Sequence, residues 1–209
     1  MYPSKYAAAH PDRAAFVMAS TGESVSYAEF EARANKLTHL LQNEGLARQD
    51  HYSIMMENNN RYLEACAAGE RAGLYYTCIN SYLTADELAY ILDNSESQIL
   101  ITSMSKLEVA IDAVAKSSKV RKVLVVDADA NELPDGFEDY ATTCQSFPAT
   151  PIDNERLGTS MLYSSGTTGR PKGIIRPLPE QPPADALPIY DFLGQLWHYR
   201  EDMIYLSPA

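Results

Sequence analysis

The sequence predicts an α/β fold, a layered and largely parallel sheet with flanking helices. Two observations carry this expectation. Four short apolar runs, at 53–56, 75–79, 99–102 and 123–126, are continuous rather than alternating, as expected of strands covered on both faces. Stretches with helical spacing separate them, so strand and helix alternate from residue 53 to residue 126, which is the α/β pattern.

The elements follow in order. Ser26 with Glu29 forms a capping-box pattern, and Phe30, Ala34, Leu37 and Leu41 then recur on one face until Gly45, which predicts an amphipathic helix. After the first strand, 60–73 places Tyr62, Cys66, Gly69 and Gly73 at helical spacing. That small-residue face allows close approach to a sheet, although Gly69 weakens the helix by about 1 kcal/mol relative to Ala. Thr84 with Glu87 opens a helix with Leu88, Ile91 and Leu92 inward. Ser105 with Glu108 predicts another, with Leu107, Ile111 and Val114 inward. Beyond Val126 an acidic stretch, 127–132, reads as a solvated loop lacking calcium-loop spacing. A short helix is expected within 136–145, and 147–151 is a connector. We expect two parts, 1–150 and 151–209, the second opening on a short strand at 159–163. After Asp185, Ile189, Phe192, Leu193, Leu196 and Trp197 fall at helical spacing and are expected in the core.

Composition narrows the function. The 209 residues carry a formal net charge of -11, which disfavours binding to nucleic-acid backbones or anionic lipid. No apolar run approaches the roughly 20 residues that span a bilayer, and the first ten residues lack the apolar core of a signal peptide. Cys66, Cys78 and Cys144 are widely spaced with no Cys-x-x-Cys pair. They read as small buried hydrophobes of a cytoplasmic protein, neither a disulfide scaffold nor a metal set. His10, His39, His51 and His198 show no i, i+4 pair; His39 is expected in solvent and His198 at the surface. Nine of the 12 prolines lie between Pro148 and Pro208, which sets the last third apart.

The chemistry concentrates in 163–173, Tyr-Ser-Ser-Gly-Thr-Thr-Gly-Arg-Pro-Lys-Gly. The hydroxyls of Ser164, Ser165, Thr167 and Thr168 alternate with Gly166 and Gly169, which expose backbone N–H groups. Pro171 stiffens the exit, Lys172 supplies a cation and Gly173 follows. Converging N–H groups, hydroxyls and one ammonium suit a polyphosphate, whose oxygens each accept several hydrogen bonds. The string is neither a Walker A loop nor a dinucleotide fingerprint. The residues after Gly173 read as extended, so the loop is expected to join two strands rather than open a helix.

This string resembles the signature of the adenylate-forming, AMP-binding enzymes, which include acyl-CoA synthetases, luciferases and peptide-synthetase adenylation domains. Residues 27–45 are similar to that family's opening helix, and 65–80 to the helix and strand before its substrate region. The stretch 80–92 resembles the acyl-CoA synthetase, or fatty-acid–CoA ligase, branch. Ser164 stands where Thr is common, and Arg176-Pro-Leu-Pro179 replaces a polar stretch containing His. The resemblance implies an AMP-forming ligase that couples a carboxylic acid to coenzyme A, using ATP with Mg²⁺. The nucleotide phosphates would be held by Ser164, Ser165, Gly166, Thr167, Thr168, Gly169, Lys172 and Gly173. It also implies that the adenine, ribose and Mg²⁺ residues and the catalytic Lys lie beyond residue 209. The chain is then expected to be an N-terminal piece, inactive alone and prone to self-association. Aliphatic, aromatic and steroidal acids stay open. So do two other readings: a non-catalytic nucleotide- or phosphate-binding module, and an interaction domain whose loop is an ordinary Gly/Ser turn.

Overall fold

A computed structural model describes residues 2–129, 132–164, 170–185, 187–200 and 203–207. Six strands form one sheet in the order β7-β6-β5-β3-β4-β8, every neighbouring pair parallel. They are β3 (His51–Met55), β4 (Tyr75–Cys78), β5 (Ser97–Ser103), β6 (Lys122–Val126), β7 (Phe137–Asp139) and β8 (Thr159–Ser160). The continuous apolar runs divide by alternation between the two faces. Ile54, Ile99, Ile101, Leu124 and Val126 meet helices α2 (Tyr27–Asn43), α3 (Tyr62–Ala72) and α6 (Tyr140–Gln145) on one face. Met55, Leu100, Val123 and Val125 meet α4 (Ala85–Asn94) and α5 (Leu107–Val114) on the other. The α/β expectation holds, with helices on both sides.

Local chemistry explains the helix boundaries. Capping boxes are present at Ser26/Glu29 and Thr84/Glu87, each hydroxyl and carboxylate satisfying backbone N–H groups of the first turn. Phe30, Ala34, Leu37 and Leu41 are all buried. Gly73 ends α3 in the left-handed conformation at φ 69°, which Gly adopts without steric cost. Gly69 lies against the rings of Tyr52 and Tyr76, so the small-residue face does admit the sheet.

Several expectations need correction. Ser105 does not cap a helix: a 3₁₀ turn occupies Met104–Lys106, α5 starts at Leu107, and the Ser105 hydroxyl donates instead to Glu57 Oε2. The buried residues of α5 are Ala110 and Ala113, while Ile111 is exposed. The short helix expected within 136–145 is present as α6, and only the strand β7 before it was unforeseen. Near the N-terminus, unforeseen, lie α1 (Ser4–Ala9) and an antiparallel pair, β1 (Ala14–Val17) with β2 (Ser24–Ser26). Phe16 meets Phe30 edge-on there. Finally, α7 (Pro188–Leu196) buries none of its residues, and Ile189, Phe192, Leu196 and Trp197 are all more than half exposed. Their spacing creates an apolar face, but no other described element covers it.

Candidate functional site

The signature string leaves the main sheet as a separate ribbon. Met161 N–H donates to the Tyr76 carbonyl of β4, and the chain then enters β9 (Leu162–Ser164). It returns as β10 (Lys172–Ile174), antiparallel to β9, with Lys172 opposite Ser164 and Gly173 opposite Tyr163. The expected strand–loop–strand arrangement is therefore present. Ser165, Gly166, Thr167, Thr168 and Gly169 lie outside the described residues.

Strand alternation separates the roles of the two residues after the turn. Gly173 faces Met161 and the Tyr163 ring, where a Cβ would overlap both. A side chain there would need the Met161 terminus to swing aside and the Tyr163 ring to give slightly, so glycine eases the packing across the ribbon. Lys172 lies on the opposite side, exposed, and pairs with no carboxylate among the described residues. A solvated ammonium at the loop exit stays available to an anion, since no internal partner must be displaced.

Both ends of the loop are tied to the last two turns of α4. On the entry side Tyr163 OH donates to Asn94 Oδ1 at 2.7 Å. Burial, then the neighbouring Tyr90, pushes the Tyr163 phenol up to about 12, so it remains a donor at neutral pH. On the exit side Tyr90 OH donates to the Pro171 carbonyl at 3.0 Å, and the Arg170 guanidinium stands 5.1 Å from the Tyr90 ring centroid. Tyr90 and Asn94 are one helical turn apart and so share a face. That spacing lets one helix hold both ends of the ribbon. Downstream, Tyr75 OH donates to the Arg176 carbonyl at 2.6 Å. Arg48 Nη2 reaches the Pro179 carbonyl at 3.1 Å and Glu180 at 3.0 Å. Sequence reading singled out none of these anchors, because they join positions 69 to 132 residues apart.

A second feature sets the ribbon's starting point. Residues 156–161 run along α3 and β4, with Gly158 N–H donating to Glu70 O at 2.8 Å and Thr159 N–H to Leu74 O at 3.1 Å. A cleft of about 370 Å³ opens beside this segment, lined in part by Glu70, Ser160, Asp185 and Tyr190. Its two carboxylates would repel a polyphosphate, and Ser164, Lys172 and Gly173 do not line it. The described geometry therefore favours the ribbon over the cleft for an anionic ligand.

Residues 4–178 match the family described as AMP-binding enzyme. The chain belongs to that family. It is 31% identical over 170 residues to a 3-oxocholest-4-en-26-oate–CoA ligase of Rhodococcus rhodochrous, covering 79% of this chain and 30% of the relative. To a 3-methylmercaptopropionyl-CoA ligase of Ruegeria pomeroyi it is 31% identical over 160 residues, covering 73% and 30%. This AMP-binding chain thus spans about 30% of the length of the curated relatives it matches. A crystal structure of a provisionally assigned long-chain-fatty-acid CoA ligase from Rhodopseudomonas palustris shares the fold. It superposes with a TM-score of 0.69 at 22% identity, over 82% of this chain and 42% of its own. Among the described residues no helix is long and apolar enough to cross a membrane.

Proposed function

We propose that this chain contributes the phosphate-binding part of an AMP-forming acid–CoA ligase. The observation carrying the reading is the 163–173 string, set between two antiparallel strands in a chain of the AMP-binding family. CoA ligases among the relatives support it. In the first step a carboxylate oxygen attacks the α-phosphorus of ATP, the bond to pyrophosphate breaks, and an acyl-adenylate forms. In the second the coenzyme A thiol, losing its proton, attacks the acyl carbon and AMP leaves. Mg²⁺ enters as part of the ATP substrate.

The residues assigned to the nucleotide phosphates are Ser164, Ser165, Gly166, Thr167, Thr168, Gly169, Lys172 and Gly173. Lys172 counters the charge of the departing pyrophosphate, and the hydroxyls and N–H groups fix its orientation. Gly173 acts indirectly, through the packing described above. Catalysis of this kind rests on positioning and electrostatics, so the two-ended tie to α4 has a purpose: it fixes Tyr163 and Pro171, on either side of the string, before ATP arrives. The substrate is assigned only as a carboxylic acid, because the names of the two relatives specify a steroid acid and a small thioether acid. A cytoplasmic location belongs to the same reading and is supported by the three free thiols. So does the division near residue 150, with the second part lending β8 to the edge of the first part's sheet.

ATP–pyrophosphate exchange by the whole protein, with a panel of acids, tests this. A hydrogen bond to a charged group contributes about 1.5–3 kcal/mol. Lys172→Ala should therefore lower exchange roughly tenfold to a hundredfold; an unchanged rate would remove Lys172 from the phosphate site.

We also infer self-association of the 209-residue chain. Ile175, Phe192 and Trp197 are each more than half exposed, and Ile204 is 94% exposed, so several large apolar side chains meet water and would gain by burial against a second copy. Sedimentation at millimolar concentration should show dimers or larger species, and a strict monomer would contradict the inference.

A further inference from the structure

The sequence reading treated the three cysteines as unrelated buried thiols, and the structure corrects it. Cys66 on α3 and Cys78 at the end of β4 have their Sγ atoms 3.8 Å apart and share a hydrogen bond. Gly73 makes this possible by turning the chain sharply between helix and strand. The partners are unequal. Cys66 is buried at 4% exposure, whereas Cys78 is exposed. Tyr62 lies one turn before Cys66 on α3. The Cys66 thiol, and then Tyr62 against the effect of burial, lower the Cys78 pKa; the same hydrogen bond and burial raise that of Cys66. Exposure and a stabilised thiolate on one sulfur, with a sheltered thiol beside it, are the arrangement of an attacking and a resolving cysteine.

We propose that Cys66 and Cys78 form a reversible thiol–disulfide site, oxidised by low-molecular-weight disulfides of the glutathione disulfide class. The Cys78 thiolate attacks one sulfur of the oxidant, expelling a thiolate and leaving a mixed disulfide on Cys78. Cys66 then loses its proton and attacks the Cys78 sulfur, releasing the second thiolate. Two protein thiols are oxidised to one disulfide, the oxidant is reduced to two thiols, and the protons given up by the cysteines are taken up by those thiols. A disulfide requires about 2.05 Å between sulfurs, so the two sulfurs, 3.8 Å apart, must close by a little under 2 Å. The link fastens α3 to the strand that receives the Met161 N–H at the start of the loop ribbon.

The test is glutathione disulfide applied to the purified chain, followed by thiol titration, intact mass and peptide mapping. Wild type should lose two of its three thiols, with a mass lower by two hydrogens, no retained glutathione, a mapped Cys66–Cys78 peptide and full reversal by dithiothreitol. Cys66→Ser should instead hold one glutathione on Cys78, because the resolving thiol is gone. Cys78→Ser, a change at an exposed position, should leave Cys66 unmodified. Three thiols retained by wild type, a persistent mixed disulfide in wild type, or a link through Cys144 would each overturn the proposal.

Discussion

Gly158→Ala is expected to destabilise the chain by about 3 kcal/mol, the upper end of what overpacking costs. The added Cβ would overlap the backbone carbonyl oxygens of Gly69 and Leu74, and would lie 2.8 Å from the Leu74 nitrogen. No side chain can rotate away to relieve this, because all three neighbours are backbone atoms at the junction of α3 and β4. Relief requires residues 156–161 to lift from the sheet. That movement would strain the Gly158–Glu70, Thr159–Leu74 and Met161–Tyr76 hydrogen bonds together, and would shift the start of β9. The effect should therefore reach the β9–β10 ribbon as well as stability. Gly194→Ala is the control: its Cβ meets nothing within 4 Å, and Ala is the better helix former by about 1 kcal/mol. Urea unfolding midpoints read both variants. A Gly158→Ala midpoint equal to wild type would show that the segment accommodates a Cβ and would sink the close-approach argument.

What the sequence revealed follows the range of the interactions involved. The capping boxes at Ser26 and Thr84 were legible because hydroxyl and carboxylate sit three residues apart and satisfy each other locally. Ser105 offered the same local pattern, yet Glu57, 48 residues away, takes its hydroxyl. The parallel sheet was legible because covered strands are apolar on both faces. For α7, periodicity revealed an apolar face but carries no information about what packs on it, hence the misplaced core. At the site, the residue types of the loop are what support the proposed anion-binding role. Its anchors carry no such signal: Tyr90 and Asn94 look like ordinary helix residues until Pro171 and Tyr163 are folded against them. The pairing of Cys66 with Cys78 was hidden for a related reason. They stand twelve positions apart across helix, turn and strand, and no fixed spacing encodes that path.

Arg71→Met should cost about 3–5 kcal/mol at neutral pH, the range for removing one partner of a buried ion pair. Arg71 is fully buried on α3. Its guanidinium makes paired bonds to Glu31 at 2.7 and 3.0 Å, bonds Asn35, lies 3.6 Å from Glu155 and stacks 5.2 Å from the Tyr2 ring centroid. One cation thus joins α2, α3, the N-terminal residues and the 149–156 segment, where Asn35 also donates to the Ala149 carbonyl. Met retains much of the side-chain volume, so the loss is chiefly of charge. The pH dependence separates charge from packing. In wild type, burial opposes ionisation of Glu31, but Arg71, with help from Ser4 and Asn35, outweighs it and holds the carboxyl below the usual range. That contribution is present above the ordinary Glu value, about 4.3, and fades as pH falls through the lower folded value. Without Arg71 burial dominates, the folded value rises, and the variant loses stability as pH climbs through the ordinary range toward that higher value. The difference between the two proteins should therefore narrow as pH is lowered from 7 toward about 4.5. Glu31→Gln added to Arg71→Met should recover part of the loss at pH 7. A difference constant across that range, unrelieved by Glu31→Gln, would assign the cost to lost packing and remove the uncompensated carboxylate from the explanation.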